Sequence, residues 1–127
     1  MVNEERRVLL VEDEALVAMV AEESLRGMGF DPVTVGTAGE ALEAMASGGA
    51  MSVAMVDVGL PDMRGDALVL RIRQDAPEMP IILASGYDGA ELRRRFEGDH
   101  MLRVLPKPYS EGQLRKTLAD LDLSPTN

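Results

Sequence analysis

Short apolar runs recur along the chain at Val8–Val11, Val53–Val56 and Ile81–Ala84, each followed by a polar residue. Runs of this length suit strands buried on both faces of a parallel sheet. Val33-Thr34-Val35, after Pro32, reads as a more exposed strand, and Met101–Leu105, stopped by Pro106, as the last one. Amphipathic stretches lie between them. Glu14 to Met28 sets Leu16, Met19, Val20 and Leu25 on roughly one face and ends at Gly27 and Gly29. Thr37, with Glu40 three residues on, forms a capping box for a helix carrying Ala41, Leu42 and Met45 and ended by Gly48-Gly49. Asp66 to Gln74 presents Leu68, Val69 and Ile72. Asp88 or Gly89 opens a helix with Leu92 and Phe96, and Ser110 caps a final one with Leu114, Leu118 and Leu121. Strict alternation of five strands and five helices predicts an α/β fold, a parallel sheet with helices on both faces, because each parallel crossover needs a helix.

Composition narrows the function. The 127 residues suit one domain, with a core over about 6–122 and frayed ends, including Ser124–Asn127. With two Phe, two Tyr, no Trp and nine Met, the core must be mainly aliphatic. A net charge of -9 argues against direct nucleic-acid binding, since phosphates would be repelled, and fits a site that gathers carboxylates around a divalent cation. The absence of cysteine excludes disulfides and thiolate metal sites. No apolar run approaches the ~20 residues of a membrane span, and the charged start, Met1 to Arg7, lacks a signal peptide's apolar stretch. A soluble cytoplasmic protein without a membrane partner is expected.

In an open parallel sheet, ligands bind beyond the carboxyl ends of the strands. Glu12, Asp13 and Glu14 follow the first strand, Asp57 follows the third, Ser85 the fourth and Lys107 the fifth. Taken alone, each has an ordinary reading: helix cap, turn residue or surface lysine. Their joint placement at neighbouring strand ends points to chemistry. Crowded carboxylates repel one another, and a hard cation such as Mg²⁺ relieves that repulsion. Lys107 adds a compact positive charge and Ser85 a hydroxyl donor. A carboxylate in this company can attack an activated phosphorus, and an aspartate needs no general base at neutral pH.

These residues sit in four ordered motifs: Val8-Leu9-Leu10-Val11-Glu12-Asp13-Glu14, Val56-Asp57-Val58-Gly59-Leu60-Pro61-Asp62-Met63-Arg64-Gly65, Ala84-Ser85-Gly86 and Leu105-Pro106-Lys107-Pro108-Tyr109. With them the chain resembles, over nearly its whole length, the receiver domain of bacterial response regulators. The resemblance implies a doubly wound, flavodoxin-like (βα)5 three-layer sandwich with strand order 2-1-3-4-5. It implies that Asp57 accepts a phosphoryl group from a phosphohistidine on a sensor histidine kinase or a histidine phosphotransfer protein. Glu12, Asp13, Asp57 and the backbone carbonyl of Gly59 would hold Mg²⁺ or Mn²⁺, while Ser85 and Lys107 would meet the phosphoryl oxygens. The Lys107-Pro108 bond would be strained and open to the cis form.

Three departures from that pattern stand out. Val104 occupies the position, three before the lysine, where many receivers carry a switching aromatic; Tyr87 is the candidate substitute, the alternative being a half-buried ring over the end of the fourth strand. Gly59, two after the acceptor, cannot steer an attacking water, whereas Tyr87 can shield the phosphoryl group. No output domain follows, so the chain reads as a stand-alone receiver or as one excised from a hybrid histidine kinase. Donor docking is expected on Ala15, Leu16, Ala18 and Met19 with Pro108 and Tyr109, although at least one of Leu16 and Met19 is expected in the core. Arg93-Arg94-Arg95 reads as a solvated basic face that could attract an acidic partner, and His100 is expected away from the site. The downstream protein is unspecified, and a homodimer is compatible with this reading. The chain is not expected to be an enzyme beyond assisting the phosphorylation and hydrolysis of its own Asp57. An aspartyl phosphohydrolase is disfavoured by Gly59 at the position of its second acid, and a non-phosphorylated interaction module by the presence of Asp13, Asp57, Ser85 and Lys107.

Overall fold

A computed structural model describes residues 6–47 and 49–123. Strands β1 (Arg7–Val11), β2 (Asp31–Val35), β3 (Val53–Asp57), β4 (Ile81–Ser85) and β5 (Leu102–Pro106) alternate with helices α1 (Ala15–Gly27), α2 (Ala38–Ser47), α3 (Gly65–Asp75), α4 (Gly89–Arg95) and α5 (Glu111–Asp120). All strand pairs are parallel and the order is β2-β1-β3-β4-β5, the doubly wound, flavodoxin-like arrangement expected from the sequence. Strand ends differ by a residue or two from expectation. β2 includes Pro32 and β5 includes Pro106; both are edge strands, where a residue lacking an N–H leaves no interior ladder bond unmade. The expected frayed ends and Gly48 lie outside the described residues.

Alternation along the strands builds two cores. Leu9, Val11, Ala54, Val56, Ile81 and Leu83 face Ala38, Ala41, Leu68, Val69, Ile72 and Leu92 of α2, α3 and α4. Val8, Leu10, Val53, Met55 and Ile82 face Ala21, Leu25, Leu114 and Leu118 of α1 and α5. The three central strands are buried on both sides, as their unbroken apolar runs require. Each fully buried Leu or Ile contributes about 1.5–3 kcal/mol through the hydrophobic effect.

One face was misassigned by sequence. α1 buries Ala18, Ala21 and Leu25, whereas Leu16, Met19 and Val20 are exposed, Leu16 at 77%. Two apolar stripes run along this helix, and the sheet takes the one with small residues, which allow close approach. Neither Leu16 nor Met19 is core, and Ala18 is not available for docking. Phe96 also falls just past α4, at its C-cap, although it still packs on the core.

Local chemistry sets the helix starts. Ser110 and Gln113 form a reciprocal capping box on α5. Thr37 Oγ1 accepts from Glu40 N–H at 3.0 Å, while the Glu40 carboxylate takes the Gly36 N–H. At the end of the sheet remote from the strand C-termini, the Arg73 guanidinium donates to both carboxylate oxygens of Asp99 and to the carbonyls of Ala76 and Met79, at 2.7–3.1 Å. It ties the C-terminus of α3 to the loop before β5.

Candidate functional site

Register brings the sequence-predicted residues together. Val11 pairs with Val56, so Glu12 stands beside Asp57; Asp57 pairs with Ala84, and Ser85 with Pro106, so Ser85 and Lys107 close the other side. Glu12, Asp57 and Ser85 are buried, and Asp13 is exposed at the rim. Carboxylate oxygens of Glu12, Asp13 and Asp57 all lie within 4.8 Å of one another. Lys107 Nζ donates to Asp57 Oδ1 at 2.8 Å and sits 3.5 Å from Glu12 Oε1. Glu12 Oε2 accepts the Glu14 N–H at 3.1 Å. The Lys107 N–H donates to the Ser85 carbonyl at 2.8 Å, and the Lys107–Pro108 peptide is cis.

The electrostatics follow from burial and crowding. Burial lifts the Glu12 carboxyl above its ordinary value, and the Asp57 and Asp13 carboxylates add to the lift, outweighing the Glu14 N–H and Lys107. Burial draws the Lys107 ammonium down, but its hydrogen bond to Asp57 and the Asp57 and Glu12 charges prevail, so its pKa ends above 10.5. Burial also raises the Tyr109 phenol beside the site. Three carboxylates therefore face one ammonium. An all-oxygen donor set of this kind fits a hard divalent cation such as Mg²⁺ or Mn²⁺. A Cβ on Gly59 would reach 3.6 Å from Asp57 Oδ2, so Gly59 leaves that side of Asp57 open.

The switch candidates fare differently. Tyr87 is fully exposed, at 106%, and does not cover the end of β4. Val104 is half-buried and packs against the α2–α3–α4 core. Ser85 Oγ donates to Asp88.

Several participants carried little linear signal. Asp88, read only as a helix opener, also accepts from Arg64 Nη2 at 2.9 Å; Arg64 Nε donates to Asp66 at 3.0 Å, and Asp66 accepts from Arg95. The Ser85-x-x-Asp88 spacing was a legible clue, whereas the Arg64 and Arg95 contacts span 24 and 29 residues. Arg95 is thus committed to Asp66, which leaves Arg93 and Arg94 as the solvated part of the basic cluster. His100 pairs with Glu78 at 3.5 Å, remote from the site as expected. Leu16, Val17, Val20, Pro108 and Tyr109 line an apolar groove that reaches Lys107. No helix among the described residues is long and apolar enough to cross a membrane.

Known proteins resemble this chain in sequence and fold. The model of the response regulator receiver domain family matches residues 8–119. The sensor kinase CckA of Brucella abortus (strain 2308) is 35% identical over 90% of this chain, and the sensor protein TorS of Escherichia coli (strain K12) 32% identical over 89%. The chain spans 12% of the length of each. The crystal structure of a sensor protein from Polaromonas sp. JS666 superposes with a TM-score of 0.80 at 29% identity, covering 91% of this chain and 95% of that one.

Proposed function

Because the chain belongs to the response regulator receiver domain family, we propose that it accepts a phosphoryl group on Asp57 from a phosphohistidine and passes the event on as a change of shape. The observation that carries this reading is the Lys107 ammonium held at 2.8 Å from Asp57 Oδ1 beside a cluster of three carboxylates. An Asp57 carboxylate oxygen attacks phosphorus; the new O–P bond forms as the P–N bond breaks, and the donor imidazole leaves with the electron pair and takes a proton from solvent. Lys107 stays cationic throughout the neutral range, holds the acceptor in place and offsets charge on the phosphoryl oxygens. Glu12, Asp13, Asp57 and the Gly59 carbonyl would hold a divalent cation, which would supply further positive charge to offset that of the phosphoryl group. Water later attacks phosphorus, and the O–P bond breaks to return the Asp57 carboxylate and inorganic phosphate. The chain acts on its own residue and has no separate substrate.

The donor is a sensor histidine kinase or a histidine phosphotransfer protein. The likeness to CckA and TorS supports a place in such a relay, either as a single receiver domain working alone or as part of a longer kinase. The donor docks in the groove of Leu16, Val20, Pro108 and Tyr109, which opens beside Lys107.

Incubation with Mg²⁺ and acetyl phosphate, followed by mass mapping, tests the chemistry. An adduct on Asp57 that disappears in Asp57→Asn is expected; an adduct that survives the substitution refutes it. Leu16→Asp should keep labelling by acetyl phosphate yet lose transfer from a phosphohistidine protein, and equal transfer removes the docking assignment.

A further inference from the structure

We infer that Asp88 is a positioning residue that holds the Ser85 hydroxyl in reserve, and that capture of a phosphoryl group frees this carboxylate and redistributes an ion-pair chain reaching α4. This rests on the reading of Asp57 as the phosphoacceptor.

Ser85 is 1% exposed, and its Oγ donates to Asp88 Oδ1. A serine hydroxyl has one proton, and carboxylate and phosphoryl oxygens are acceptors only. Ser85 can therefore donate to Asp88 or to a phosphoryl group on Asp57, never to both. Helix capping does not account for Asp88: it stands at the N-cap of α4, but its side chain makes no cap hydrogen bond. Its two oxygens are committed instead to Ser85 and to Arg64 Nη2. The Ser85 hydroxyl and Arg64 hold its carboxyl below the ordinary carboxylate range, which keeps it anionic at neutral pH.

Beyond Asp88 the chain of contacts continues without a gap. Arg64 Nε donates to Asp66 Oδ1, and the other oxygen of Asp66 accepts from Arg95 at the last turn of α4. Asp66 is buried, so it depends on both arginines for its partners. Arg64 is shared by two carboxylates and is largely exposed, so it can shift its balance between them at little cost. When Ser85 turns to a phosphoryl oxygen, Asp88 loses a donor and draws harder on Arg64, which weakens the Arg64 hold on Asp66 and leaves Asp66 to draw harder on Arg95. Three intervening side chains thus join the acceptor pocket to α4 without a ring at position 104.

The test measures affinity for the phosphoryl mimic beryllofluoride, with Mg²⁺, in a two-by-two set of variants. Asp88→Ala releases the hydroxyl and should bind about five- to tenfold more tightly than the parent. In the Ser85→Ala background the same change should have no effect, whereas a merely structural role for Asp88 would act alike in both. Asp88→Asn, which keeps a neutral acceptor, should fall between parent and Asp88→Ala. The Arg64 and Arg95 Nε–Hε resonances should move on adduct formation in the parent and stay in place in Ser85→Ala. Unchanged affinity in Asp88→Ala, or the same ratio in both backgrounds, overturns the inference while leaving Asp57 as acceptor. Failure of the parent to bind the mimic overturns the acceptor reading and this inference together.

Discussion

Glu12 is a buried carboxylate beside two like charges. Its carboxyl is raised above 4.5 by burial and by the Asp57 and Asp13 charges. A group whose folded pKa exceeds its unfolded value binds its proton more tightly in the folded state. Its stabilising contribution is whole below the ordinary carboxylate value and is lost as pH rises through the raised one. Lys107, also raised, keeps its contribution up to the ordinary lysine value and loses it only in alkali, so it does not mask this window. Glu12→Gln, neutral at every pH, should therefore flatten the loss of stability just above pH 4.5 and be more stable than the parent at pH 7 without a divalent cation. It should also gain less from added Mg²⁺, because one of three carboxylate ligands is gone. Urea unfolding across a pH series, with and without MgCl₂, measures both effects, and a less stable Glu12→Gln in cation-free buffer would count against this account.

The elements around the acceptor are fixed by backbone approach. A Cβ on Gly65 would lie 2.2 Å from the Asp57 carbonyl oxygen and 2.8 Å from Val58 Cα, so α3 begins pressed against the end of β3. Gly65→Ala must push backbone apart, and overpacking of this kind costs about 1–3 kcal/mol, toward the upper end where no flexible side chain can yield. Denaturant midpoints should show that loss; a midpoint within error of the parent would mean that the α3 start has room to shift. Asp62, in the same loop, accepts the Ala38 and Gly39 N–H groups at 2.9 and 3.0 Å and so caps α2 from a distance. What could be read in the sequence divides along this line. Apolar runs such as Val53–Val56 marked the strands, parallel topology placed Glu12, Asp57, Ser85 and Lys107 at one edge, and Ser110 marked its helix. Asp62 reaching α2 and Arg64 bridging Asp66 and Asp88 depend on loop paths that no local pattern encodes. The α1 face was misread because Leu16 and Val20 are more apolar than the alanines the sheet buries, and apolarity alone does not tell a core stripe from a docking stripe.

Across the whole molecule, the two ends of the sheet are held in different ways. The end with the strand C-termini carries the acidic site, the open groove and an ion-pair chain with an exposed arginine at its centre. The opposite end is bolted by Arg73, a half-buried guanidinium on α3 with four oxygen acceptors drawn from the turn after that helix and from Asp99. Motion that follows chemistry at one end thus has a fixed base to work against. The bolt also makes two irregular segments behave unlike loops toward solvent. The Ala76 and Met79 amides bond to Ile72 and Ala76, and those of Met101 and Leu102, where the second segment joins β5, bond to Asp99, the residue that Arg73 holds. Segments without regular structure ordinarily exchange their amide hydrogens at the fast, locally unfolding end of the range. These four amides should exchange slowly, on the scale of the strands they adjoin, and Arg73→Ala should speed them by about tenfold or more while leaving β1 protected. Equal protection in Arg73→Ala would show that the strands alone shelter them. Read by deuterium uptake, this clamped end of the sheet would keep time with its strands rather than with its loops.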